Sequence, residues 1–86
     1  MVSYDYDQDY MSEMEWLDIF ADNLRDILAE YGMTQRELAE AAGLSEVTIS
    51  RYMHKKTIPS IPAAINISYA LSMTLEELLN FGSMVR

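Results

Sequence analysis

The sequence predicts an all-α fold class, a single small domain of five helices preceded by a short acidic segment. Half of the 86 residues are apolar, which is enough for one core but not for two. Cysteine is absent, so a helical core must supply the stability without disulfides or zinc–cysteine sites. Apolar residues recur at helical spacing in five segments, and three of these segments open with a Ser/Thr-x-x-Glu capping box.

The first predicted helix runs from Glu13 to Tyr31. Ser12 and Glu15 form its capping box, and Gly32 provides a stop. Its apolar stripe consists of Trp16, Phe20, Leu24, Ile27, Leu28 and Tyr31. We expect this stripe to cover the next two helices, with residues 1–12 forming an acidic N-terminal arm.

Two short helices joined by a tight turn are predicted next, over residues 34–54. Thr34 and Glu37 form a capping box, and Gly43 can leave the first helix in a left-handed conformation without steric cost. Ser45 can cap the second helix. Ala39 is small, as two helices that cross closely require.

Two further helices complete the predicted domain, which spans residues 13–82. Ser60 is a plausible cap for the fourth helix, and Pro62 is tolerated in its first turn because that amide would have no intrahelical partner. The fifth helix is predicted from the capping residue Thr74 to Phe81, with Gly82 as its stop. Residues 83–86 are expected to form a short tail.

The segment from residue 34 to residue 56 resembles the phage-repressor (Xre/Cro) family of helix-turn-helix DNA-binding domains. Gln35 opens the first motif helix, Ala39 is the small crossing residue and Gly43 is the turn. The apolar positions of the motif are taken by Leu38, Ala42, Leu44, Ile49 and Tyr52. The resemblance extends over about residues 16–82 and implies a five-helix, lambda-repressor-like DNA-binding domain.

By this resemblance, the helix after Ser45 enters the major groove and reads bases. Arg51 can donate two hydrogen bonds to guanine, Glu46 can accept one from cytosine, and Val47 can pack on a thymine methyl group. The predicted base-reading residues are Glu46, Val47, Thr48, Ser50 and Arg51. For an arbitrary helix, a solvated surface would be the default interpretation of these side chains.

A second set of residues is predicted to hold the DNA backbone. Gln35 lies at a helix N-terminus, where backbone amides favour a phosphate. The predicted phosphate contacts are Gln35, Arg36, Ser45, Lys55 and Lys56. The alternative for the two lysines is that they only stabilise the negative pole of a helix end.

The net charge of −8 argues against DNA binding, because phosphate contacts normally require lysine and arginine. Its distribution changes that conclusion. Residues 1–30 contain nine acidic residues and one basic residue, whereas residues 31–59 contain four basic and three acidic residues. The motif therefore carries a local excess of positive charge, and we expect modest, strongly salt-dependent affinity.

The acidic arm permits three interpretations. Asp5, Asp7 and Asp9 have the initial spacing of a calcium-binding loop, but Tyr10 and Trp16 stand where that loop needs glycine and glutamate. With calcium binding rejected, the three interpretations are a solvated, mobile chain, a nucleic-acid mimic for a basic partner, and a cover for the DNA-binding face.

The sequence thus predicts a sequence-specific DNA-binding regulator, a repressor that occupies an operator on double-stranded DNA. Short half-sites predict a homodimer, through the fifth helix and tail or through the first helix. His54 is the sole histidine and lacks a nucleophile partner, so an enzyme is not expected, and neither are cofactors or metals. A cytoplasmic location without membrane insertion is expected. The alternative function is a protein-interaction module, such as an antitoxin, whose acidic N-terminal segment binds a protein partner.

Overall fold

A computed structural model describes residues 12–81 and places five helices there. They are α1 (Glu13–Tyr31), α2 (Gln35–Ala42), α3 (Glu46–Met53), α4 (Ile61–Ala70) and α5 (Leu75–Leu79). No strand occurs within this part of the chain. The predicted all-α, five-helix fold class is confirmed, while most of the acidic arm, the Gly82 stop and the tail lie outside the described residues.

Local side-chain caps explain where the helices begin. Ser12, Thr34 and Thr74 each accept a hydrogen bond from the backbone amide of a glutamate three residues on, and that glutamate bonds back to the cap amide. All three predicted capping boxes are therefore confirmed. Ser45 and Ser60 cap α3 and α4 through single hydrogen bonds. These bonds satisfy backbone amides that have no partner within their helix.

One core joins the five helices. The contacts pair α1 with α3 and α5, α2 with α3 and α4, and α4 with α5. Phe20 of α1 is fully buried at the centre, stacked on Trp16 at a centroid distance of 5.1 Å and edge-on to Tyr52 of α3 at 6.4 Å. The prediction that α1 covers the motif is thus confirmed for α3, because Phe20 packs directly on it.

The predicted bounds of α1 are confirmed, but the predicted burial of Tyr31 and the predicted end of α5 were wrong. Tyr31 was expected in the apolar stripe of α1, but it is 48% exposed. Residues 29–32 are all exposed, so the buried face of α1 ends at Leu28. The helix α5 ends at Leu79 rather than at Phe81, because Asn80 serves as its C-cap and bonds the carbonyl of Glu76 through both its backbone amide and its side chain.

A buried asparagine links the two ends of the domain. The Nδ2 atom of Asn23 donates to the carbonyls of Leu78 at 2.9 Å and Leu79 at 3.0 Å. These carbonyls belong to the last turn of α5, which has no intrahelical donors to offer them. Asn23 therefore fastens α5 to α1.

No helix in residues 12–81 combines the length and the apolar character needed to cross a membrane.

Candidate nucleic-acid interface

The turn between α2 and α3 sets the orientation of α3. Gly43 has φ 73°, the left-handed conformation that the sequence predicts for it. The amide of Leu44 donates to the carbonyl of Ala39 at 2.9 Å, which closes the turn. Ala39 of α2 is buried, and α2 packs against α3. The closed turn and this packing hold the two helices together.

The helix α3 has an inner and an outer face. Ile49, Tyr52 and Met53 are buried and anchor the helix on the core. Four of the predicted base-reading residues are placed on the accessible side: Glu46 and Arg51 are exposed, Val47 is 70% exposed, and Thr48 is half-buried. The fifth, Ser50, is also half-buried, near His54.

Hydroxyl groups at the start of α3 form a small network. The Oγ atom of Ser45 accepts from the amide of Thr48 at 3.0 Å and donates to the Oγ1 atom of Thr48 at 2.8 Å. The hydroxyl hydrogen of Thr48 remains available to an external acceptor. The hydroxyl of Ser45 is thus used in capping α3, and the hydroxyl of Thr48 is the group that can donate to a ligand at the start of this helix.

At the other end of α3, His54 is exposed and its Nδ1 atom lies 2.8 Å from the carbonyl of Ser50. That contact places the Nδ1 proton toward the carbonyl, since a carbonyl oxygen only accepts hydrogen bonds. His54 therefore has a structural role as the C-cap of α3.

The residues predicted to contact phosphate differ in whether they already form ion pairs within the protein. Gln35 is half-buried at the first position of α2. Arg36 faces Glu40 at 3.8 Å with both side chains largely exposed, an arrangement too weak to hold the guanidinium. Among residues 12–81, Arg51 and Lys56 form no ion pair. Arg51 and Lys56 are the cations most available to an anionic ligand.

Lys55 is placed differently from its neighbour Lys56. Its Nζ atom lies 3.1 Å from Oδ1 of Asp22 and 3.2 Å from Oδ1 of Asp18, both on α1. The hydrogen bonds to Asp22 and then to Asp18 raise the pKa of the Lys55 ammonium above its ordinary value. The predicted phosphate contact of Lys55 would require it to leave these two carboxylates.

Arg25, for which the sequence predicted no role, bonds the end of α3. Its Nη2 atom donates to the carbonyl of Met53 at 3.0 Å, and its Nη1 atom lies 3.4 Å from Oδ1 of Asp22. The available signal was that Arg25 is the one basic residue among the first thirty. Its partner is 28 residues away in the chain, so local patterns could not identify the contact.

Within residues 12–81, no group of three or more histidine, cysteine, aspartate or glutamate side chains could hold a metal ion. Asp5, Asp7 and Asp9, the residues of the rejected calcium interpretation, lie outside the described part of the chain.

Comparison with known proteins agrees with this geometry. The helix-turn-helix family model matches residues 24–78, which is more than half of the chain and includes α2, α3 and α4 in full. Searches of curated proteins and of solved structures gave no match. By the family match and the five-helix architecture, the chain belongs to the Xre and lambda-repressor-like helix-turn-helix family of DNA-binding transcriptional regulators.

Proposed function

We propose that this protein is a sequence-specific repressor that acts as a homodimer by occupying an operator. The observation that carries the proposal is the outer face of α3, where Glu46, Val47 and Arg51 are exposed although the rest of the helix is anchored on the core. The major groove, about 12 Å wide, admits an α-helix. A rigidly held helix with polar and apolar groups on its free side is suited to reading bases there.

Each exposed group on α3 has a chemical match on a base edge. The guanidinium of Arg51 can donate in parallel to O6 and N7 of guanine, and Glu46 can accept from N4 of cytosine. Val47 can contact a thymine methyl group, and the free hydroxyl hydrogen of Thr48 can serve an acceptor. Ser50, half-buried, is the remaining predicted contact.

Backbone contacts would fix the register of α3 in the groove. Gln35, at the N-terminus of the eight-residue helix α2, can present its amide to a phosphate. Arg36 and Lys56 can add charge-assisted contacts on either side, with Ser45 at the start of α3. Lys55 belongs to this predicted set only if it exchanges Asp18 and Asp22 for a phosphate.

A homodimer supplies the specificity that one short half-site lacks. The side of the domain around α5 offers an anchor for a second copy. Tyr69 is 68% exposed and shares a shallow groove with Met73, Thr74 and Glu77 at the start of α5. An exposed tyrosine is a favourable contact residue because it buries much area with little loss of rotamer freedom.

Selection from a random DNA pool tests the proposal. We expect the full-length protein to enrich an inverted repeat at low and near-physiological salt. Arg51→Ala should lose enrichment at one base position of each half-site, whereas the matched control Arg36→Ala should keep the sequence and lose only affinity. If the wild type enriches no sequence at either salt concentration, the proposal is wrong, and the protein-interaction module becomes the better hypothesis.

A further inference from the structure

We infer that Arg25 and Lys55, held by Asp18 and Asp22, form a clasp that fixes the C-terminal end of α3 on α1, so that Lys55 positions the recognition helix rather than binding phosphate. This inference rests on the proposed DNA-reading function of α3.

The end of α3 adopts an unusual backbone conformation at Lys55. Its φ is 60°, a left-handed value at which helices generally place glycine. The amide of Lys55 donates to the carbonyl of Tyr52 at 3.0 Å. The amide of Lys56 donates to the carbonyl of Arg51 at 2.8 Å. These two bonds make a Schellman motif, with lysine in the position that favours glycine.

The side chain of Lys55 explains what holds this conformation. Asp18 and Asp22 are four residues apart on α1, so their carboxylates lie on one face of the helix and receive the same ammonium group. Leaving the left-handed conformation would withdraw Lys55 from both of them. The ion pairs and the helix end are therefore coupled.

Arg25 joins the same cluster to the last residue of α3. It contacts Oδ1 of Asp22, the atom that also binds Lys55, and it donates to the carbonyl of Met53. That carbonyl lies in the last turn of α3, where carbonyl groups lack intrahelical donors. One carboxylate thus connects both cations, and both cations connect α1 to the end of α3.

The charge of Lys55 is compensated within the clasp. Two aspartates and two basic residues sum to zero, so the clasp offers no net attraction to a phosphate. If Lys55 moved to DNA, Asp18 would lose its ion pair and Asp22 would keep only Arg25, with both carboxylates near the negative DNA backbone. Lys56, which pairs with no acidic residue in the described part of the chain, has no such cost.

Asp22→Asn is the most discriminating variant. It removes one negative charge, so electrostatics alone predicts tighter DNA binding. Loss of the clasp predicts the opposite, about two- to fivefold weaker binding, given what exposed ion pairs contribute. The matched control is Asp26→Asn, an exposed aspartate one turn farther along α1, which should bind as tightly as the wild type or more so.

The salt dependence of binding separates positioning from phosphate contact. Each lost phosphate contact reduces the slope of log K against log salt concentration by about 0.9. We expect this reduction for Lys56→Gln, an unchanged slope with weaker binding for Lys55→Gln, and near-complete rescue in Lys55→Arg. Tighter binding by Asp22→Asn, or a slope reduction in Lys55→Gln equal to that in Lys56→Gln, would overturn the inference.

Amide hydrogen exchange tests the clasp without DNA. In Asp22→Asn and Lys55→Gln, the backbone amides at positions 55 and 56 should exchange faster than in the wild type, while the amide of Leu44 at the other turn should not change. Unchanged exchange at Lys55 and Lys56 contradicts the clasp. A wild type that selects no DNA contradicts the proposed function instead, so the two failures are distinguishable.

Discussion

Arg51 and Lys55 both carry positive charge near the end of α3, yet their surroundings give them different chemistry. Arg51 forms no ion pair within residues 12–81, whereas Lys55 pairs with two carboxylates. A guanidinium can donate two parallel hydrogen bonds to a base edge, and an ammonium group with three donors can bond two carboxylates at once. The same charge therefore serves recognition at one position and structure at the other.

The raised pKa of Lys55 predicts a change in stability at alkaline pH. A raised pKa means that pairing stabilises the folded state fully below the ordinary pKa of lysine, about 10.4, and that this contribution is lost as pH rises through the raised value. Urea unfolding of the wild type and of Lys55→Gln, from pH 7 to alkaline pH, measures how much this pairing contributes to the free energy of unfolding. The difference in their free energies of unfolding should be constant to about pH 10 and then shrink.

Lys56→Gln serves as the control for the alkaline experiment, because Lys56 forms no ion pair in the described part of the chain. Its difference from the wild type should stay small throughout the pH range. A difference between the wild type and Lys55→Gln that grows above pH 10 would contradict the assignment of the raised pKa to this pairing.

At the scale of elements, helix ends carry most of the local information in this chain. Three capping boxes and two left-handed glycines delimit α1, α2 and α5, and each needs only residues within a few positions of one another. Such bonds contribute about 1 kcal/mol each. Neighbouring residues therefore set most of the helix boundaries. The exceptions are the left-handed positions that carry a residue other than glycine, Lys55 and Ser72.

Gly43→Ala should destabilise the protein by about 1–2 kcal/mol, because alanine in the left-handed conformation is strained by that amount. Steric overlap adds nothing, since no heavy atom beyond the adjoining residues of the chain lies within 4 Å of the position a Cβ atom would take. Chemical denaturation measures the loss. Gly43→Asn is the control, and its smaller loss would identify the backbone conformation as the cause, whereas equal losses would rule it out.

At the scale of the whole molecule, Asn23 connects elements that are far apart in sequence. Asn23→Ala removes the hydrogen-bond donor for two carbonyls of α5, which would then lie away from water without a partner. This should lower the free energy of unfolding by about 1–3 kcal/mol. Asn80→Ala is the matched control, because Asn80 makes an exposed bond to the carbonyl of Glu76. If both variants lose equal stability, the buried link from α1 to α5 is unimportant.

The charge of the whole molecule predicts how the arm influences DNA binding. Replacing Asp5, Asp7 and Asp9 with asparagine changes the net charge from −8 to −5. We expect DNA affinity to rise about two- to tenfold at low salt, and the gain to vanish at high salt as screening shortens the range of these charges. Fluorescence anisotropy with one DNA duplex at several salt concentrations measures this; an unchanged affinity at low salt would show that the arm does not oppose DNA.

The sequence by itself determined the helical class, the helix starts and the family. Capping boxes, glycine stops and the 3.6-residue period are short-range signals, and each can be evaluated within one turn of helix. The placement of α3 was predictable for the same reason, since its buried residues Ile49 and Tyr52 lie three positions apart.

Only the tertiary structure decided which side chains are available at the candidate site. Lys55 and Lys56 are adjacent and chemically identical, but folding brings Asp18 and Asp22 to Lys55 and no acidic partner within residues 12–81 to Lys56. Arg25 likewise bonds Met53 across 28 positions of sequence. The reason is physical: a cap depends on neighbours in the chain, whereas the partner of a charged side chain depends on how helices pack, which local spacing does not specify.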